Sequence, residues 1–217
     1  MAKSLSTRQM ILVPALVTLA VTLLRLTGEL MHWSPRLFNP AAGGGGALVG
    51  IAWLVPVFGV YFAVKLVRAG EGPAGVGAAV GLAVLGFALL PLAGFAASAA
   101  GLPRQSLATF GLFIVLSIVG ALVAHRGWPD LGRTLLAYGL AARIPVVVVM
   151  LVAMLGNWGT HYDVAPPGFP PMGTLAKWFA IGVLPQLTIW IWFTMAAGAI
   201  AGAITAAVLR AKRPAAA

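Results

Sequence analysis

The sequence predicts an all-α integral membrane protein, built as a bundle of six transmembrane helices. Of the 217 residues, 61% are apolar and only 8% are charged, whereas ordinary soluble domains are about 25% charged. The apolar residues form repeated runs, close to the roughly 20 residues that a helix needs to cross a bilayer. Because these runs are apolar on every side instead of alternating, they indicate helices rather than membrane β-strands.

Charged residues and helix breakers divide the chain into the six predicted spans. The first span follows Lys3 and Arg8, as in a signal peptide, but no small-residue cleavage site comes after it, so we expect it to be retained. The other spans end at loops rich in Gly or Pro, which are typical helix ends. The predicted spans are residues 9–30, 47–67, 73–100, 106–124, 131–155 and 187–209, which together form a single membrane domain.

The last apolar region, residues 174–209, is too long for one crossing. A continuous helix over this region would be about 54 Å long at 1.5 Å per residue, whereas the hydrocarbon core of a bilayer is about 30 Å thick. We therefore predict a break near Gly182 to Pro185. Residues 175–184 would then be tilted or lie at the interface.

The basic residues predict the orientation of the spans. Six spans put both termini on one side, and a cytoplasmic amino terminus puts nine bases in inner segments and three in outer ones. The positive-inside rule therefore predicts cytoplasmic termini in a bacterial-type inner membrane, with residues 31–46 and 156–173 as outer loops. The inner bases are Lys3, Arg8, Lys65, Arg68, Arg126, Arg133, Arg210, Lys212 and Arg213, and the outer ones are Arg36, Arg104 and Lys177.

The net charge of +10 indicates anionic lipids on the cytoplasmic face as partners rather than nucleic acid, because the bases stand at the ends of apolar runs and form no stripe. The absence of Cys excludes disulfides, thiolate metal sites and cysteine-ligated iron–sulfur clusters. Gly77-x-x-x-Gly81 and Gly198-x-x-x-Gly202 are patterns typical of helix packing in membranes. They predict a second copy of the chain or a partner in a membrane complex.

A group of polar residues marks the end of the first span. Arg25, Glu29 and His32 stand at i, i+4 and i+7, so a continuous helix would present them on one face. The predicted topology puts them on the same side of the membrane as His161 and Asp163, which follow the fifth span. These five residues form the candidate outer-face site, with a bound solute or a lipid headgroup as one interpretation.

A metal ion is another interpretation of the outer-face site. The Glu29-x-x-His32 spacing allows a carboxylate and an imidazole to ligate one ion, and His161 with Asp163 would complete the set. Zinc or iron(II) suits two His residues with carboxylates, and a catalytic site keeps one position open for water. The structural alternative, which we expect to be commoner, is an ion pair between Arg25 and Glu29 with His32 at headgroup level.

Arg143 and Gln186 are the second candidate site, for an anion or a lipid inside the membrane. Arg143 lies about 12 Å into its span at 1.5 Å per residue, and no acidic residue is predicted near it. The expected outcomes are snorkelling to headgroups, hydrogen bonding to carbonyls freed near Pro145, or contact with an anion from outside the chain. Gln186 is predicted to line the same interior.

No motif in the sequence indicates a reaction. The phosphate-binding loop, the nucleophile elbow of hydrolases and the H-E-x-x-H zinc motif are absent. The sequence therefore favours a non-enzymatic inner-membrane protein, either a small-solute or ion transporter or channel, or an accessory subunit of a membrane complex. The alternative is a membrane enzyme with a metal or acid–base site at Glu29, His32, His161 and Asp163.

Overall fold

A computed structural model of the chain describes residues 6–103 and 106–211, and within these ranges all regular secondary structure is helical. The long helices are α1 (Thr7–Leu30), α2 (Leu54–Arg68), α3 (Val76–Ala99), α4 (Leu107–Gly127), α5 (Pro129–Gly156) and α8 (Ile189–Ala211). Two single-turn helices, α6 (Thr174–Lys177) and α7 (Leu184–Leu187), flank a π-helical segment (Trp178–Val183). Of the bases used to predict orientation, Lys3, Arg104, Lys212 and Arg213 lie outside the described residues.

Helix lengths confirm a membrane fold made of several apolar helices. Within the described residues, five helical stretches are long and apolar enough to cross a bilayer, and they are Thr7–Leu30, Val76–Ala99, Leu107–Gly127, Pro129–Gly156 and Thr174–Ala211. Their outward faces carry exposed leucines and valines, among them Leu16 on α1 and Val148 on α5. Such a surface suits contact with lipid.

The second predicted span is shorter than the sequence indicated. α2 begins at Leu54 and has 15 residues, because residues 47–53 form turns. The backbone N–H groups of Leu48 and Val49 donate to the carbonyls of Arg36 and Leu37 at 3.2 and 3.0 Å. Residues 47–53 therefore belong to the loop between α1 and α2.

The last apolar region begins irregularly but continues as helix through Gly182 to Pro185. Pro185 occupies the first turn of α7, where a missing N–H is tolerated, and the π-helical segment precedes it. The clearest departure from helical geometry is at Thr188, with φ −123° and ψ −72°. Trp178 fixes the segment to α5, since its indole Nε1 donates to the carbonyl of Val147 at 2.9 Å.

α8 lies at the centre of the bundle and packs against α2, α3, α4 and α5. Small residues allow this position. A Cβ atom on Gly59 of α2 would lie 2.5 Å from the carbonyl oxygen of Gly198, so the two backbones are in direct contact. α1 packs mainly against α5, where the hydroxyls of Thr18 and Tyr138 share a hydrogen bond of 2.8 Å.

Buried hydrophobic residues form two clusters, a large one through most of the bundle and a small one between α5 and the loop that follows it. α1 and α5 end, and α2 begins, at the same end of the bundle, which we call the loop end because residues 31–53 and 157–173 lie there. Several of the largest side chains with less than 2% exposure come from the other half of α2 and α5, among them Phe62, Leu66, Leu131 and Leu135. The loop end is packed differently and contains the candidate site.

Candidate functional site

The loop after α5 folds back onto the end of α1. The backbone N–H of His161 donates to Glu29 Oε2 at 2.9 Å, and the hydroxyl of Tyr162 donates to the carbonyl of Thr22 at 3.2 Å. The structure thus joins two residues of the predicted outer-face site, Glu29 and His161, that are 132 positions apart in the chain.

Glu29 is the centre of this contact, and its side chain is 0% exposed. Glu29 Oε1 accepts a hydrogen bond from Arg25 Nε at 2.8 Å and lies 2.5 Å from His161 Nδ1. Because a carboxylate only accepts hydrogen bonds, Nδ1 of His161 carries the hydrogen. In this Arg25–Glu29–His161 cluster, the charges of Arg25 and Glu29 neutralise each other, which a buried site requires.

Arg25 also holds the loop between α1 and α2. Its Nη2 donates to the carbonyls of Asn39 and Gly44 at 3.1 and 2.9 Å. Gly44 has φ +69°, a conformation that glycine adopts without strain. The ion pair that the sequence predicted as a structural element is therefore present, and it connects both loops to α1.

His32 and Asp163 lie outside the cluster. α1 ends at Leu30, and His32 has φ 51° with an exposed side chain, so the helical face shared by Arg25 and Glu29 does not continue to it. The carboxylate of Asp163 closes its own turn, where it accepts from the backbone N–H groups of Gly159 and Thr160 at 3.0 and 2.7 Å.

The four predicted metal ligands therefore do not converge on one point. Glu29 and His161 are in contact, whereas His32 is exposed beyond the end of α1 and Asp163 accepts hydrogen bonds within its own turn. Among residues 6–103 and 106–211, no group of three or more His, Asp or Glu residues is placed to hold a metal ion.

Burial sets the protonation state of His161. The partly enclosed position of the ring lowers its pKa below the ordinary value of 6.5, and the hydrogen bond to Glu29 opposes this shift. Near and below pH 6.5, the His161 imidazole is therefore protonated in a smaller fraction of folded molecules than of unfolded ones.

This difference predicts that acid destabilises the fold through His161. The unfolded state binds more protons between pH 6.5 and the lower native pKa of His161, so stability should be lost as the pH falls through this window. The test is thermal unfolding in neutral detergent from about pH 7.5 to about pH 5. The loss should be smaller in His161→Gln, which keeps an N–H donor but does not titrate, and equal losses would contradict the prediction.

Arg143 is buried inside the bundle, with 4% of its surface exposed. Its Nη1 donates to Gln186 Oε1 at 3.2 Å, and its Cζ lies 4.4 Å from the centroid of the Trp190 ring. The structure thus joins Arg143 to Gln186, which the sequence predicted to line the same interior, and the Arg143 side chain is buried among helices. Among the described residues, its Nε is buried without a hydrogen-bond partner.

A cavity of about 1090 Å³ at the loop end connects the two candidate sites. Arg25 and His161 line one part of its wall, and Arg143 and Gln186 line another. Most of the remaining wall is apolar and comes from α1, α5, both loops and the segment before α8, including Val21, Ile51, Val146, Met150, Ile181 and Leu184.

Two residues of this wall, Tyr162 and Trp190, are absent from the sequence prediction. Trp190 stands four residues after Gln186, but the irregular Thr188 separates their two helices, so helical spacing does not associate them. Tyr162 follows His161 in an irregular loop, where no periodic pattern indicates a direction.

Comparison of the chain with protein-family models, with curated proteins and with solved structures gives no match. The cavity and the side chains around it are therefore the basis for assigning a function.

Proposed function

We propose that this is a non-enzymatic, multi-pass protein of a bacterial-type inner membrane that takes a small ligand into the loop-end cavity. It acts as a transporter or as an accessory subunit of a membrane complex. The cavity is the observation that carries this proposal, because large apolar pockets with a few convergent polar groups are the usual ligand sites of proteins. Its volume of about 1090 Å³ lies just above the range of about 300 to 1,000 Å³ for such sites.

The proposal includes α2 as the sixth crossing. Its 15 residues span about 22 Å at 1.5 Å per residue, and the apolar turn before it lies at the loop end. Six crossings put both termini in the cytoplasm and the cavity on the outer side. The distribution of bases supports this orientation, since Lys65, Arg68, Arg126, Arg133 and Arg210 all lie near the end opposite the cavity.

Packing beneath the cavity favours a transporter over an open channel. Phe62, Leu131 and Leu135 fill the bundle between the cavity and the opposite end, so a ligand would cross only after the helices rearrange. Transporters often build their sites from interrupted helices. The π-helical segment and the irregular Thr188 lie on either side of Gln186 along the chain, which supports the same conclusion.

Purification in mild detergent, followed by mass spectrometry of everything that co-purifies, tests the proposal. A transporter should carry a small molecule or lipid without a stoichiometric partner of another kind. An accessory subunit should retain such a partner. An empty protein that binds no partner and moves no solute into proteoliposomes would contradict the proposal.

Filling the cavity should displace the co-purifying ligand. Ile51 lines the cavity, and Ile51→Trp adds an indole ring where the ligand would lie, so we expect ligand occupancy to fall at least about ten-fold. Val57 on α2 is 50% exposed, and Val57→Trp is the matched control that should keep the ligand. Unchanged occupancy in Ile51→Trp would place the ligand elsewhere.

A membrane enzyme is the second candidate, and the hydrogen bond between Glu29 and His161 favours it. A carboxylate that holds the Nδ1–H of an imidazole leaves Nε2 as a base, and His161 lines the cavity. Conversion of the co-purifying molecule by wild type, with loss of that activity in His161→Gln, would support an acid–base role.

A zinc or iron form of this enzyme would have Glu29 and His161 as adjacent ligands, one fewer than the three protein ligands of a typical catalytic zinc site. Metal analysis of protein purified without chelator tests this form. Bound metal that is lost in His161→Ala would support it, and absence of metal from the wild type would overturn it.

A further inference from the structure

We infer that Arg143 binds the anionic head of a lipid-like molecule whose apolar part fills the loop-end cavity. The ligand is an amphipathic oxyanion, with a phosphate or carboxylate head on an apolar chain. This inference rests on the proposed function, because it names the class of ligand that the cavity takes.

The guanidinium of Arg143 has incomplete partners. With 4% of its surface exposed, it hydrogen-bonds the neutral amide of Gln186 and stacks on the neutral ring of Trp190. Its Nε is buried and has no hydrogen-bond partner among the described residues. A buried charge without an anion is costly, above all inside a membrane.

The chain does not neutralise this charge with its own side-chain carboxylates. It has four acidic residues, all of them in the described ranges: Glu29, Glu71, Asp130 and Asp163. Glu29 belongs to the cluster with Arg25, and Asp163 closes its own turn. Asp130 pairs with Arg133 at the opposite end of the bundle, where Glu71 also lies. The side chains of the described residues therefore supply no anion to Arg143, and we assign this role to the bound ligand.

Arg143 is favoured over Arg25 as the anion site. Both line the cavity, but the charge of Arg25 is already paired with Glu29 at 2.8 Å. A guanidinium with free N–H groups suits a phosphate or carboxylate, which it can bind through two parallel hydrogen bonds.

The apolar side chains around Arg143 favour an anion that carries an alkyl chain. Val146 and Met150 follow Arg143 along α5, and Ile181 and Leu184 face the cavity from the segment before α8. A small inorganic ion would leave these side chains against water, whereas an alkyl chain would remove that apolar surface from water. An amphipathic anion would therefore both neutralise Arg143 and cover the apolar side chains of the cavity.

Titration with dodecyl phosphate in neutral detergent tests the inference, with native mass spectrometry and thermal shift as readouts. Wild type should bind it saturably, and neither dodecanol nor inorganic phosphate should displace it. Arg143→Gln should weaken binding about ten-fold or more, as expected for loss of charge-assisted hydrogen bonds. Arg126 is exposed at the opposite end, and Arg126→Gln should bind like wild type.

Gln186→Glu tests whether Arg143 binds the anionic head of the ligand, even if Arg143→Gln fails to fold. It places a carboxylate where Oε1 of Gln186 now lies 3.2 Å from Arg143 Nη1. The new ion pair should raise the melting temperature of the ligand-free protein and weaken dodecyl phosphate binding about ten-fold or more.

The inference is overturned if wild type does not bind dodecyl phosphate saturably, if Gln186→Glu binds it like wild type, or if inorganic phosphate alone displaces it. A parallel titration with dodecanoate shows whether the site prefers a carboxylate or a phosphate head group, and preference for either head group supports the inference. Failure here is distinct from failure of the proposed function. A different co-purifying molecule that is lost in Ile51→Trp would leave the proposed function standing while the inference falls.

Discussion

Glu29→Ala is expected to destabilise the protein by about 3 to 5 kcal/mol, the loss typical when one partner of a buried ion pair is removed. The substitution leaves Arg25 without its anion and removes the acceptor of both His161 hydrogen bonds, at Nδ1 and at the backbone N–H. The loop after α5 should then loosen from the end of α1. Unfolding in neutral detergent, followed by circular dichroism against denaturant concentration, measures the loss.

Asp130→Ala is the matched control for this prediction. Asp130 also pairs with an arginine on its own helix, but the side chains of Arg133 and Asp130 are 65% and 39% exposed, so its removal should cost less than about 1 kcal/mol. The double variant Arg25→Met, Glu29→Met should be less destabilised than Glu29→Ala, because no unpaired charge remains. If Glu29→Ala and Asp130→Ala are equally stable, the cluster does not hold the loop end together.

Gly59→Ala is expected to cost about 1 to 3 kcal/mol by overpacking the contact between α2 and α8. The added Cβ would lie 2.5 Å from the carbonyl oxygen and 2.9 Å from the Cα of Gly198. Because both obstacles are backbone atoms, no side-chain rotation relieves them, and the helices must separate. Thermal unfolding in detergent, together with the helix content of the folded protein, checks the result.

Gly81→Ala provides the control for the helix contact. Gly81 also lies within a long helix, but a Cβ there would meet no atom within 4 Å, so the change should leave stability unchanged or raise it by up to about 1 kcal/mol. Equal stability of the two variants would show that α2 and α8 are not in backbone contact.

The fold class was predictable because a bilayer leaves few alternatives. Backbone groups in hydrocarbon must be hydrogen-bonded within the chain, so long apolar runs become helices, and α1, α3, α4 and α5 closely match their predicted spans. The second span is the exception. Its first residues are apolar enough for a helix, but they form turns against residues 36 and 37, and hydropathy alone does not detect such turns.

Helical spacing in the sequence correctly predicted one contact of the candidate site and wrongly predicted another. The i+4 relation correctly placed Arg25 beside Glu29, since both lie inside α1. The i+7 relation failed for His32 because α1 ends at Leu30 and the chain turns through a positive φ. A periodicity argument applies only as far as the helix continues.

The formation of apolar helices, and the few polar residues that interrupt them, could be read from the order of residues alone. The contact between His161 and Glu29, and the cavity that Arg143 shares with Arg25, become visible only in the packed bundle. Helix formation depends on neighbours in the chain, whereas these contacts join residues on different helices and loops. Their positions depend on how α5 and its loop pack against α1 and α8, which no local pattern in the sequence records.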